Sequence, residues 1–181
     1  NTLGNENGDR VIQEVARRLS DAVGGADQVA RLRGDEFALL LPGADVTLAR
    51  QVASRLLKAL AQPVMIQRLP VEVGASIGIA VAPDQGEEGE TLLRRVDLAM
   101  QAAKRAGESP VVYSAACDRS LAMDEMTVFE QRFEDRVRSF ARTGVRPIDA
   151  AAVAHAVAVG QPGDQGAGSS VRWRGLPLDR R

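Results

Sequence analysis

Cysteine occurs once in this chain of 181 residues, histidine once, tryptophan and tyrosine once each, and phenylalanine four times. The single thiol, Cys117, excludes an internal disulfide, and a reducing cytosol is the simplest home for such a sequence. No second cysteine or histidine lies near Cys117, so it reads as inert. His155, set in an alanine and valine run, reads as a bystander rather than a base or ligand. No stretch approaches the roughly 20 apolar residues of a membrane span; Ala150 to Val159 is about half that. Charge of one sign is lacking too. The formal net charge is -1, which advertises neither nucleic acid nor an anionic membrane as a partner. What remains, 45% hydrophobic and 26% charged residues, suits one domain with a real core and extensions.

Along the chain, Asn1 to Gly8 reads as a polar loop, with Asp9 placed as a helix N-cap. Val11, Ile12, Val15, Ala16 and Leu19 then recur at helical spacing up to Gly24-Gly25. A second helix carries Ala49, Val52, Ala53, Leu56, Leu57 and Leu60 on one face before Pro63. Val64 to Ile66 and Leu69 to Val73 read as a short strand and its partner, and Ala75 to Ala82 as a stronger strand. Leu92, Leu93, Val96, Ala99, Met100 and Ala103 line another helix ending at Gly107, and Val111 to Tyr113 reads as an edge strand. Tight turns between neighbouring strands predict a mixed or antiparallel sheet covered by helices, an α+β fold.

Beyond it, Met126, Phe129, Phe133, Val137 and Phe140 predict an amphipathic helix over 118–142. Half the aromatic residues lie on that stripe, so it must fold back on the domain or pair with another chain. Ala150 to Val159 is compatible with a helix capped by Asp149, and 160–170 with disorder. The domain reading is therefore 1–115, a connecting helix over 116–142, and a low-order tail over 143–181.

Val29 to Leu41 is the organising stretch: two apolar strands joined at Arg33-Gly34-Asp35, a hairpin with carboxylates at its tip. Asp35 and Glu36 are adjacent and point to opposite faces of an extended backbone. Gly34, without a Cβ, lets a phosphate or metal approach the main chain. By local pattern alone this is an ordinary acidic turn or a site.

Arg-Leu-Arg-Gly-Asp-Glu-Phe followed by Ala-Leu-Leu-Leu resembles the signature hairpin of the GGDEF family, the diguanylate cyclases, in an RGDEF variant with Arg33 in place of the first glycine. Three further segments resemble the family in the same order. Asn1 to Asp9 matches the second half of its Asn-Asp-x-x-Gly-His-x-x-Gly-Asp segment, Ser76 to Ala80 its Ser-Ile-Gly-Ile-Ala strand, and Asp97 to Gly107 its Asp-x-Ala-Met-Tyr-x-Ala-Lys-x-x-Gly helix. The resemblance spans Asn1 to Tyr113 and implies a mostly antiparallel central sheet wrapped by helices, like the palm of nucleotidyl cyclases.

It also implies phosphoryl transfer, two GTP giving cyclic di-GMP and two pyrophosphates, with GTP and a second GGDEF domain as partners and Mg²⁺ or Mn²⁺ as cofactor. Asp35 and Glu36 stand at the catalytic positions, Asp35 as metal ligand; Gly34, Asp9 and Lys104 stand at substrate positions, Asp9 toward the guanine edge and Lys104 toward the terminal phosphates. The family's first metal-binding aspartate lies on a strand preceding Asn1, so the chain reads as a cytoplasmic fragment whose first strand and sensor lie outside it. Glu108 replaces an expected arginine and Gln101 a tyrosine; Gly24-Gly25-Ala26-Asp27 lacks the arginine of the product-inhibition motif. These departures imply impaired cyclase activity, the alternative being a non-catalytic GTP-binding or dimerisation module. Gln161-Pro162 and Val171-Arg172-Trp173-Arg174 resemble the opening of an EAL phosphodiesterase domain without its Glu-Ala-Leu motif.

Overall fold

Apolar residues three and four apart build the first helix, α1 (Gly4–Ala22), which buries Val11, Ile12, Val15 and Leu19. The computed structural model describes residues 4–25, 27–119, 129–131, 133–135, 138 and 155–160. Gly4 to Gly8 are already helical, so Asp9 lies in the second turn rather than at the N-cap. Two glycines cost about 1 kcal/mol each in a helix, but the buried stripe beyond them outweighs local propensity, and Gly8 itself is buried.

The hairpin follows as β1 (Gln28–Arg33) and β2 (Glu36–Leu40). Asp45 caps α2 (Val46–Leu60), accepting from the Leu48 amide at 2.7 Å. The β3 (Val64–Ile66) and β4 (Leu69–Val71) hairpin turns at Gln67 and Arg68, both at positive φ. Strand β5 (Ser76–Val81) is buried along its whole length. Helix α3 (Gly89–Ala106) stops at Gly107, left-handed at φ +66°. Two short elements follow, β6 (Val111–Val112) and α4 (Ala115–Arg119).

The expected helix near the aromatic stripe is helical at residues 129–131, 133–135 and 138, and it folds back on the domain. Phe129 and Phe133 stack with ring centroids 6.1 Å apart and are buried with Leu93, Leu98 and Cys117. Arg94 lies over the Phe129 ring and pairs with Glu130. Val137 and Phe140 fall outside what is described.

The tail brings a difference. Residues 155–160, read above as compatible with a helix, form a strand, β7 (His155–Gly160). It runs through the middle of a five-stranded sheet of order β1-β2-β7-β5-β6 and is antiparallel to both β2 and β5. Alternating alanine and valine is as compatible with a strand as with a helix, and two neighbouring strands offering unpaired edges decide between them. Only β5 and β6 pair in parallel, so the sheet is mostly antiparallel, as expected.

Period-two alternation then sorts the layers. Phe37, Leu39, Leu41, Ile77, Ile79 and Val81 pack with α1 and α2, whereas Leu40 and Ala80 pack with Leu92, Val96 and Met100 of α3. At Gly78 the α3 backbone comes so close that a methyl group would overlap the Val96 carbonyl oxygen and the Met100 nitrogen. On the other layer, Arg18 locks α1 to the end of α2. It donates to the Ala59, Gln62 and Pro63 carbonyls and pairs with Glu14 at 2.8 Å.

Candidate functional site

Gly34 and Asp35 form the reversal between β1 and β2, with Arg33 paired to Glu36 and a register irregularity between Arg31 and Arg33. Gly34 sits at φ +53°, a backbone conformation that strains any side chain. A methyl group at Gly34 would meet no protein atom within 4 Å, so the space outside the turn is open to a ligand. Arg31 straps the reversal, its Nε donating to the Gly34 carbonyl oxygen at 2.9 Å. Asp35 and Glu36 are both half-buried at this tip.

Topology determines what else lies at this end of the sheet. Helix α1 precedes β1 and packs beside it, with Asp9 in its second turn. Strand β7 ends at the same edge, where Gly160 opposes Ser76. Because β6 is parallel to β5, the last turn of α3 comes back to the edge at which β5 begins. Ser109, just past that turn, accepts a hydrogen bond from the Ile77 amide at 2.8 Å and pins it there. Lys104 is half-buried on this turn.

The structure thus brings Asp35 and Glu36 to the end of the sheet to which the α3 turn carrying Lys104 returns. It also separates Asp9 from Lys104 by layer, since Asp9 is on the α1 side and Lys104 on the α3 side. Glu108 is exposed beside the same turn.

A divalent ion needs oxygen donors, and Mg²⁺ is commonly held by one or two carboxylates plus phosphates and water. Among the described residues no group of three or more His, Cys, Asp or Glu side chains could hold a metal. The strand between β2 and β5, His155-Ala156-Val157-Ala158-Val159-Gly160, contains no carboxylate. This donor set does not fit an ion held by the protein alone.

Sequence reasoning missed Arg31, Ser109 and Arg18, which position the turn, the α3 end and α1. Arg31 sits three residues before Gly34 and carries a local signal as a turn strap; the Ile77 partner of Ser109 and the carbonyl partners of Arg18 lie 32 residues or more away in sequence and leave no local signal.

A mostly antiparallel sheet flanked by helices, with an acidic glycine reversal at one end, defines a GGDEF-type α+β domain. Residues 1–110 match the family model described as diguanylate cyclase, GGDEF domain, and the chain belongs to this family. It is 35% identical over 123 residues to the bifunctional diguanylate cyclase/cyclic di-GMP phosphodiesterase MucR of Pseudomonas aeruginosa, covering 68% of this chain and 18% of that protein. The response regulator PleD of Caulobacter vibrioides is 32% identical over 118 residues, 64% of this chain and 26% of PleD. Among solved structures, the GGDEF domain of TpbB (YfiN) from Pseudomonas aeruginosa superposes with TM-score 0.58 at 31% identity, covering 61% of this chain and 66% of that one. An EAL/GGDEF domain protein from M. capsulatus superposes with TM-score 0.57 at 43% identity, covering 62% and 74%. The chain spans less than a fifth of MucR. It is a GGDEF domain homologous to diguanylate cyclases of cyclic di-GMP signalling. Among the described residues no helix is long and apolar enough to cross a membrane.

Proposed function

We propose that this chain is a GTP-binding GGDEF module with weakened cyclase activity, acting in the cytoplasm within a cyclic di-GMP signalling protein. The observation that carries the reading is the open reversal at Gly34 with Asp35 and Glu36 at its tip, at the end of the sheet to which the α3 turn of Lys104 returns. In this reading Asp9 accepts from the guanine N1 and N2 hydrogens, a pattern that adenine does not offer. Lys104 meets the terminal phosphates, Gly34 gives the triphosphate room, and Glu36 supports its placement. Asp35 is a single carboxylate suited to Mg²⁺ or Mn²⁺ that arrives already bound to phosphate oxygens. Cyclisation would require a second GGDEF domain presenting its own GTP. Arg33, in this RGDEF variant, and Glu108 weaken the reaction, the first by crowding the reversal and the second by placing negative charge beside the phosphates.

Glu108, exposed just past the α3 turn, favours a second reading, a module that binds GTP without turning it over. A dimerising aromatic face on the connecting helix is less favoured, because Phe129 and Phe133 are buried within the chain. The EAL-like segments, 161–162 and 171–174, lie outside the described residues and stay part of the proposal only as a remnant. Calorimetric titration with GTP and with ATP, each with Mg²⁺, tests the reading, alongside an assay for cyclic di-GMP. GTP-selective binding with little or no product supports it; absence of GTP binding overturns it.

A further inference from the structure

Strand β5 is buried along its whole length, so its backbone groups need partners within the protein. The Ile79 carbonyl oxygen accepts from the Tyr113 amide at 2.8 Å, which turns the backbone of that residue toward the β6 side. Residues two apart in a strand present their backbone groups to the same side, so the Ile77 amide faces β6 as well. Pairing with β6 starts only at Gly78, opposite Val111, and leaves that amide one step beyond the last rung. The Ser109 hydroxyl supplies the missing rung, accepting from the Ile77 amide at 2.8 Å.

The same serine ends an exposed stretch. Helix α3 lies against β5 at Val96 and Met100 and is still buried at Ala103. Arg105, Ala106, Gly107 and Glu108 are then all exposed, and a methyl group on Gly107 would meet nothing within 4 Å. The last carbonyls of a helix lack intrahelical partners, so a final turn frays unless the chain beyond it is anchored. Lys104 belongs to that final turn and is half-buried. Five residues on, Ser109 fastens the far end of the turn to the start of β5.

We propose that Ser109 is a positioning residue for nucleotide binding: through the Ile77 amide, its hydroxyl holds the α3 turn so that Lys104 reaches the terminal phosphates of GTP. This rests on the GTP-binding reading above and adds to it the residue that orients the phosphate-contacting cation. In this role the hydroxyl itself contacts no nucleotide. Its effect falls on the part of the ligand that Lys104 meets, the β- and γ-phosphates, and not on the base.

Calorimetric titration of the full chain with GTP and with GMP, each with Mg²⁺, tests this on Ser109→Ala, Ser109→Thr and Lys104→Met. Ser109→Ala should weaken GTP binding about fivefold or more while GMP binding changes less than about twofold, and Ser109→Thr, which keeps the acceptor, should restore GTP binding to within about twofold. In the Lys104→Met background Ser109→Ala should add no further loss, because the hydroxyl acts through that lysine. Unchanged GTP affinity in Ser109→Ala, equal losses for GTP and GMP, failure of threonine to restore binding, or the full loss again without the lysine each overturn the proposal. If Ser109→Ala does not fold, Ser109→Cys, with a weaker acceptor at the same length, is read in its place by the same criteria. A chain that binds GTP equally well with and without the hydroxyl refutes the positioning role alone, whereas no GTP binding by the unsubstituted chain refutes the nucleotide reading and this proposal with it.

Discussion

Arg31 holds the carbonyl of Gly34 at 2.9 Å, so a cation two residues before Arg33 sets the shape of the acidic reversal. Replacing Arg31 by Met keeps an unbranched side chain but removes the donor. One hydrogen bond is worth about 1 kcal/mol, so the fold should lose little stability, while GTP affinity should fall by about fivefold through a loosened turn. Paired denaturation and calorimetric titration of Arg31→Met check this; equal affinity with unchanged stability would remove Arg31 from the site.

Asp9 should decide between purines. If Asp9 accepts from guanine as proposed, Asp9→Asn makes that acceptor half amide, and selectivity for GTP over ATP should drop at least tenfold, about 1.4 kcal/mol. Competition binding with the two nucleotides measures it. Since Asp9 lies inside α1 rather than at its cap, thermal stability should change little.

Gly78 admits no side chain. The overlap of a new methyl group with Val96 and Met100 backbone atoms cannot be relieved by rotating a side chain. Gly78→Ala should therefore cost about 3 kcal/mol or more by overpacking, read as a lower urea midpoint at unchanged slope.

Glu14 gives a pH dependence. Hydrogen bonds from Arg17 first and Arg18 second lower its pKa from 4.5 to about 2. A depressed carboxylate contributes stability that is whole above pH 4.5 and is lost as pH falls toward 2. Melting temperatures measured from pH 5 down to pH 2.5 should fall less steeply in Glu14→Gln than in the unsubstituted chain.

Phe133→Ala should destabilise by about 3 to 4 kcal/mol, because the ring is buried against Phe129 and α3. Thermal melts followed by tryptophan-independent circular dichroism check it, and an unchanged melt would mean that the aromatic stripe is not docked in solution.

Where one element carried its own signal, the sequence was sufficient. The periodic stripes of α1, α2 and α3, the β-branched and small residues of β5 and the glycine reversal at Gly34 are local patterns, and each is found at its expected place. The start of α1 was misjudged because polar residues and two glycines imitate a loop until packing is considered. Strand β7 was misjudged because His155 to Gly160 has no strong preference of its own; its conformation depends on β2 and β5, more than 70 residues upstream. The candidate site was legible as residue types, Asp35, Glu36, Asp9 and Lys104, but not as geometry. Which end of the sheet each reaches follows from strand direction, and the strand that separates β2 from β5 was not read as one.

That central strand bears on how the protein is made. A ribosome adding about 5 to 20 residues per second finishes β7 roughly 4 to 15 seconds after β5. Until then the edges of β2 and β5 that β7 pairs lack that partner, and chaperone demand should fall once codon 160 has been translated.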